Sequence, residues 1–90
     1  MRVTQTARFK RAVKKLHKKQ KRDLDDAVRE IMDDTSLGEM KVGDLAGVQV
    51  YKFKMIGQLT LLAYRVDDDI VTLTLLALGS HENFYRDLKR

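Results

Sequence analysis

The chain has no cysteine, an absence that removes disulfide frameworks, thiolate zinc sites and cysteine nucleophiles at once. It has only two histidines, His17 and His81, 64 positions apart. A dedicated metal centre would have to gather carboxylates around them in no recognisable spacing, so neither a metal nor an organic cofactor is expected. No window approaches the ~18 apolar residues of a membrane span, and no apolar stretch follows the first residues as it would in a secretory signal. The expectation is a cytoplasmic protein. Internal repeats and low-complexity segments are absent as well.

What remains is enough for one domain, residues 1–90. The 90 residues are 43% hydrophobic and 34% charged, close to globular usage but too few to bury two cores. A balance of 18 Lys and Arg against 13 Asp and Glu leaves a formal charge of +5, which leans towards polyanionic partners. That charge is segregated. Residues 8–22 hold Arg8, Lys10, Arg11, Lys14, Lys15, Lys18, Lys19, Lys21 and Arg22 with no acid, whereas residues 23–34 hold six acids opposed only by Arg29.

Both blocks carry helical periodicity. Phe9, Ala12, Val13 and Leu16 recur at steps of three and four behind Thr6, a plausible N-cap, and predict a helix over about 6–17. Leu24, Ala27, Val28, Ile31 and Met32 repeat the spacing and predict a second helix over about 19–34. Asp23, Asp25 and Asp26 stand near its start, where negative charge complements the helix dipole. A glycine-bearing linker over 35–47, anchored by Leu45, leads to a stretch of period two. There Tyr51, Phe53 and Met55 share one face and Lys52 and Lys54 the other. Ile56-Gly57-Gln58 is a turn, Leu59 to Val66 a second strand, and Ile70 to Leu78 a nearly continuous apolar strand. A polar tail follows, helical from about Glu82, and Arg2-Val3-Thr4 can add an edge strand. The expected fold is α+β, an N-terminal helical hairpin packed on a small twisted antiparallel sheet with a short C-terminal helix.

This order, together with Leu45-Ala46-Gly47, Tyr51-Lys52-Phe53-Lys54, Tyr64 and Gly79-Ser80-His81-Glu82-Asn83-Phe84-Tyr85, resembles the RelE/ParE superfamily of type II toxin-antitoxin toxins over almost the whole chain. The resemblance implies a RelE-like fold whose open sheet face holds the substrate. In the RelE branch it also implies a ribosome-dependent endoribonuclease that cuts messenger RNA and blocks translation. The implied partners are a cognate antitoxin, the ribosome and messenger RNA.

Metal-independent RNA cleavage needs a base for a 2′-hydroxyl proton, cations for the charged phosphorane and an acid for the leaving 5′-oxygen. Lys52 and Lys54, at i and i+2 on a strand, project from one face and can flank a phosphate. The resemblance implies that role for both, with Lys54 a candidate base where neighbouring cations depress its pKa. His81 resembles the branch's proposed general acid, and an unperturbed pKa near 6.5 suits it. Tyr85 matches a tyrosine whose ring stacks on a base near the reacting phosphate. Lys14, Lys15, Lys18 and Arg86 are candidate RNA-binding cations. One departure stands out: where the RelE branch carries a second-strand arginine this chain has Leu61, and the nearest substitute, Arg65, lies about 13 Å further along the strand. Leu61 favours the alternatives, a ParE-like toxin that poisons DNA gyrase without cutting RNA or a degenerate antitoxin-binding homologue.

Overall fold

A change of hydrophobic period from helical to alternating divides the chain into a helix layer and a sheet layer. The computed structural model describes residues 1–67, 72–80, 84, 85 and 88. In order they form β1 (Arg2–Gln5), α1 (Ala7–Lys14), α2 (Lys18–Asp33), β2 (Glu39–Met40), a single 3-10 turn (Gly43–Leu45), β3 (Gln49–Met55), β4 (Gln58–Asp67) and β5 (Thr72–Gly79). Phe84, Tyr85 and Leu88 are helical. No helix among the described residues is long and apolar enough to cross a membrane.

Thr6 is the N-cap that the sequence suggests. Its hydroxyl accepts from the Phe9 N–H at 3.1 Å and donates to the Leu76 carbonyl at 2.8 Å, so one side chain both starts α1 and ties it to β5. α1 closes at Lys14 rather than near 17, because His17 caps the next helix: the Gln20 side chain accepts from the His17 N–H at 3.0 Å. Leu16 still packs on the core from the connecting turn. The first turn of α2 carries no acid, so the dipole argument for its aspartates does not apply. Asp23 instead accepts from the Ile56 N–H at 2.7 Å and ties α2 to the turn between β3 and β4.

The sheet runs β1-β5-β4-β3-β2. The three-stranded meander is antiparallel as its short turns require, whereas β1 joins β5 in parallel, with Arg2 opposite Thr72. Within the segment read as linker, Glu39–Met40 adds two residues of strand to β3. Alternation sends Phe53, Met55, Leu62, Tyr64 and Leu73 to the helix layer, where they meet Phe9, Leu24 and Ile31. The opposite face carries a second apolar cluster of Val48, Val50, Leu61, Ala63, Ala77 and Phe84. A register shift beside Ala63 and Tyr64 lets adjacent β5 residues, Leu76 and Ala77, both serve this second face.

Met55 pairs with Gln58, leaving a two-residue turn of Ile56 (φ 50) and Gly57 (φ 76). Positive φ at both positions is the hairpin geometry that matches strand twist, and it suits Asn or Gly rather than a β-branched residue. Ile56 is 49% exposed and loses little burial if replaced. Ile56→Asn is therefore expected to stabilise the fold by about 1 kcal/mol, raising Tm by roughly 4–8 °C. A thermal melt checks this, and an unchanged or lower Tm contradicts it.

Candidate active site

The residues predicted from the sequence separate into three places on the molecule. Lys52 and Lys54 are both exposed and belong to the sheet face away from the helices, since Tyr51, Phe53 and Met55 take the helix side. Lys52 pairs with Leu61, which in turn pairs with Gly79. Paired residues share a face, so Lys52, Leu61 and Gly79 form one row across three strands, about 10 Å from end to end. Gly79 is the last residue of β5, two positions before His81 in the sequence. His81 and Arg86 themselves lie outside the described residues.

The middle of that row is dry. Leu61 is fully buried, packed with Val50, Ala63 and Phe84, so the place where the family resemblance leads one to look for an arginine holds a structural leucine. Lys54 stands one row nearer the hairpin tip, opposite Leu59. Because β2 covers only Gln49 and Val50 of β3, Lys54 lies beside an unpaired strand edge. It lines a cleft of about 350 Å³ with Asp23, Asp26, Glu30, Tyr51 and Phe53. Its surroundings on that side are the carboxylates of α2. Tyr51 donates to Glu30 across this cleft, and that bond, with burial second, holds the phenol above its ordinary value.

Tyr85 is half-buried against the second cluster, and its ring meets Phe84 edge to face at 5.3 Å. The Lys41 ammonium lies 5.1 Å from the Tyr85 ring centre and 3.3 Å from the Glu39 carboxylate. Burial works against that ammonium, but Tyr85 and Glu39 outweigh it and hold its pKa above 10.5. The Lys41 N–H donates to the carbonyl of Val48, the residue before β3, four residues and about 13 Å along the chain from Lys52. Sequence reasoning missed Lys41; its signal was the alternation Glu39-Met40-Lys41-Val42 inside a stretch read as loop.

Arg65 belongs to the same sheet face but pairs with Thr74, four residues beyond Leu61. There it lines a groove of about 320 Å³ with Arg8 and Asp44, over the apolar side chains of Leu45, Leu76 and Leu88. Gly47 (φ 88) runs beside it, and a Cβ there would stand 3.9 Å from the Arg65 guanidinium. Lys14, Lys15 and Lys18 are exposed at the junction of α1 and α2, in the layer on the other side of the sheet. The structure thus brings Lys52, Lys54, Tyr85 and Arg65 to one face, spread along its length, and leaves the helical lysines on the opposite layer.

The model of ParE-like toxins of type II bacterial toxin-antitoxin systems matches residues 3–89. No curated protein matches the chain. Among solved structures, the intact Escherichia coli RelBE toxin-antitoxin complex contains a chain with 20% identity and a TM-score of 0.72, covering 90% of this chain and 96% of that one. The RelBE2 complex of Mycobacterium tuberculosis gives 22% identity and a TM-score of 0.69 over 89% and 96%. A YoeB/ParE toxin from Agrobacterium tumefaciens gives 18% and 0.71 over 90% and 99%. At these identities the likeness establishes a common fold.

Proposed function

The chain belongs to the ParE-like toxins of type II bacterial toxin-antitoxin systems, within the RelE/ParE superfamily, and from that premise we propose that it acts as a ribosome-dependent endoribonuclease on messenger RNA. The observation that carries this reading is the row from Lys52 through Leu61 to Gly79. It sets an exposed ammonium about two strand spacings from the end of β5, the strand that leads in sequence to His81.

In this reading Lys52 and Lys54 hold the scissile phosphate as ammonium groups and stabilise the charge that builds on its oxygens. The carboxylates near Lys54 favour that electrostatic role. His81 supplies the general acid for the leaving 5′-oxygen, and Tyr85 stacks on a base beside the cluster. Arg65 and Arg86 contact substrate away from the cut, while Lys14, Lys15 and Lys18 meet ribosomal RNA from the helix layer through salt-dependent phosphate contacts. No metal or organic cofactor takes part. The antitoxin partner carries an acidic segment that folds over the basic toxin, as coupled folding and charge complementarity allow.

Leu61 supports a second reading, a toxin that poisons DNA gyrase and cuts no RNA, because a buried leucine cannot clamp a phosphorane. Primer extension on messenger RNA in a purified translation system separates the two. Codon-phased cuts that vanish in the Lys52/Lys54/His81 triple alanine variant are the expected result. Intact message with the wild type, together with inhibited gyrase supercoiling, establishes the second reading instead.

A further inference from the structure

The groove at the Arg65 end of the sheet plays no part in cutting a phosphate between Lys52 and Lys54, from which it is about 13 Å removed along β4. Its composition is nonetheless that of a recognition site. Arg8 comes from the start of α1, Arg65 from β4 and Asp44 from the 3-10 turn, so three separate elements bring charge to one concavity. Leu45, Leu76 and Leu88 provide an apolar floor continuous with the second cluster. The volume, about 320 Å³, lies at the small end of ligand pockets, where a single planar ring with a charged appendage fits. Thr6 also borders the groove, but its hydroxyl is committed to the Phe9 N–H and the Leu76 carbonyl. Arg8 and Asp44 also have contacts within the protein, and a ligand would meet the donor and acceptor positions that the guanidiniums and the carboxylate have beyond those contacts.

We propose that this groove binds one nucleotide of single-stranded RNA, with its phosphate on Arg65 and Arg8, its base on the leucine floor and its N–H edge on Asp44. The inference deepens the RNA-cleaving reading and rests on it for the identity of the ligand. A guanidinium has five donors and a carboxylate several acceptor positions, so contacts already made within the protein do not exhaust either. Two carboxylate oxygens match two adjacent N–H donors, which guanine presents on its Watson–Crick edge and uracil does not. The groove is thus a base-selective subsite a few nucleotides from the cut, on the same face of the sheet.

Nitrogen-15 NMR of the whole chain, titrated in turn with GMP, UMP, inorganic phosphate and a glutamate-rich peptide, tests this without requiring cleavage. GMP is expected to move the Arg65 side-chain and Asp44 backbone signals at lower concentration than UMP, and phosphate to move the arginine signals alone. Asp44→Asn is expected to shrink the GMP preference by roughly 5- to 100-fold, the range for one bidentate base contact. Arg65→Ala weakens every nucleotide and inorganic phosphate alike, and Arg65→Lys, which keeps the charge but not the planar fork, restores both in part while leaving the GMP preference over UMP unchanged. Equal shifts from GMP and from the acidic peptide overturn the inference in favour of a protein contact, as do nucleotide shifts confined to Lys14, Lys15 and Lys18. Codon-phased cleavage with no nucleotide in the groove overturns the groove alone. Nucleotide bound there without any cleavage upholds the groove and removes the nuclease reading.

Discussion

Lys54→Ala is expected to lower the rate of messenger cleavage by ~10²-fold or more, with no loss of folding. The side chain is exposed, stands where β3 is paired with β4 but not with β2, and belongs to neither apolar cluster, and such surface substitutions change stability by about 0.5 kcal/mol or less. Its charge is what the proposed reaction uses. An ammonium beside a phosphorane stabilises the transition state more than the singly charged ground state, so its removal should appear in kcat rather than in KM. His81→Ala should cost a similar factor by a different route, the loss of the proposed proton donor. Single-turnover cleavage on programmed ribosomes, paired with thermal melts, makes the comparison. A variant that loses activity and melting temperature together would remove Lys54 from the catalytic assignment.

The second large effect is structural and centres on one phenol. Tyr64 is fully buried, and its hydroxyl accepts from the Gly38 N–H at 2.8 Å and from Gln49 Nε2 at 3.2 Å while donating to the Thr35 carbonyl at 2.7 Å. Gln49 binds the same loop through the carbonyls of Thr35 and Gly38. The chain between α2 and β2 therefore hangs on two side chains of the sheet. Tyr64→Phe leaves a buried amide without its acceptor and should cost about 2–3 kcal/mol, or roughly 8–24 °C in Tm. Gly38→Ala attacks the same contact sterically. Its Cβ would lie 2.7 Å from both Cε1 and Oη of Tyr64, and a fully packed ring has no room to retreat, so a loss of about 1–3 kcal/mol or more is expected. Because Oη is shared, the double variant should lose less than the sum of the two.

The pH dependence of the same site has a definite sign. Burial raises the Tyr64 pKa above 10.0, against the Gly38 hydrogen bond that favours the ionised form. A raised folded pKa means that the contribution of Tyr64 is complete below pH 10 and is lost as pH climbs through the folded value. Alkaline denaturation should be shallower in Tyr64→Phe than in the wild type, and urea titrations across that range make the measurement.

Much of this molecule was legible from residue spacing. The steps of three and four in residues 9–32 give both helices because a helix must turn one stripe of side chains to the core. The Thr6 cap follows from the same logic, since an exposed N–H needs a nearby oxygen. Alternation in residues 51–55 likewise separates Lys52 and Lys54 from Tyr51 and Phe53. Each of these signals is local, written within a few residues and read out by backbone geometry alone.

What only the tertiary structure decided depends on pairings across long sequence separations. Residue period does not say that Arg2 will lie parallel to Thr72, that Glu39–Met40 will find β3, or that a register shift will turn both Leu76 and Ala77 to the second face. Those choices follow from the total burial available to the assembled sheet, a sum over the whole chain. They set the row from Lys52 through Leu61 to Gly79. They also bring Arg8, Asp44 and Arg65, spread over 58 residues of sequence, to one groove. By itself the sequence determined which residue types could do the chemistry and which face each would take. Which of them stand together, and that a dry leucine separates the two strands flanking the candidate site, was decided by register, because register is fixed by contacts that no local pattern encodes.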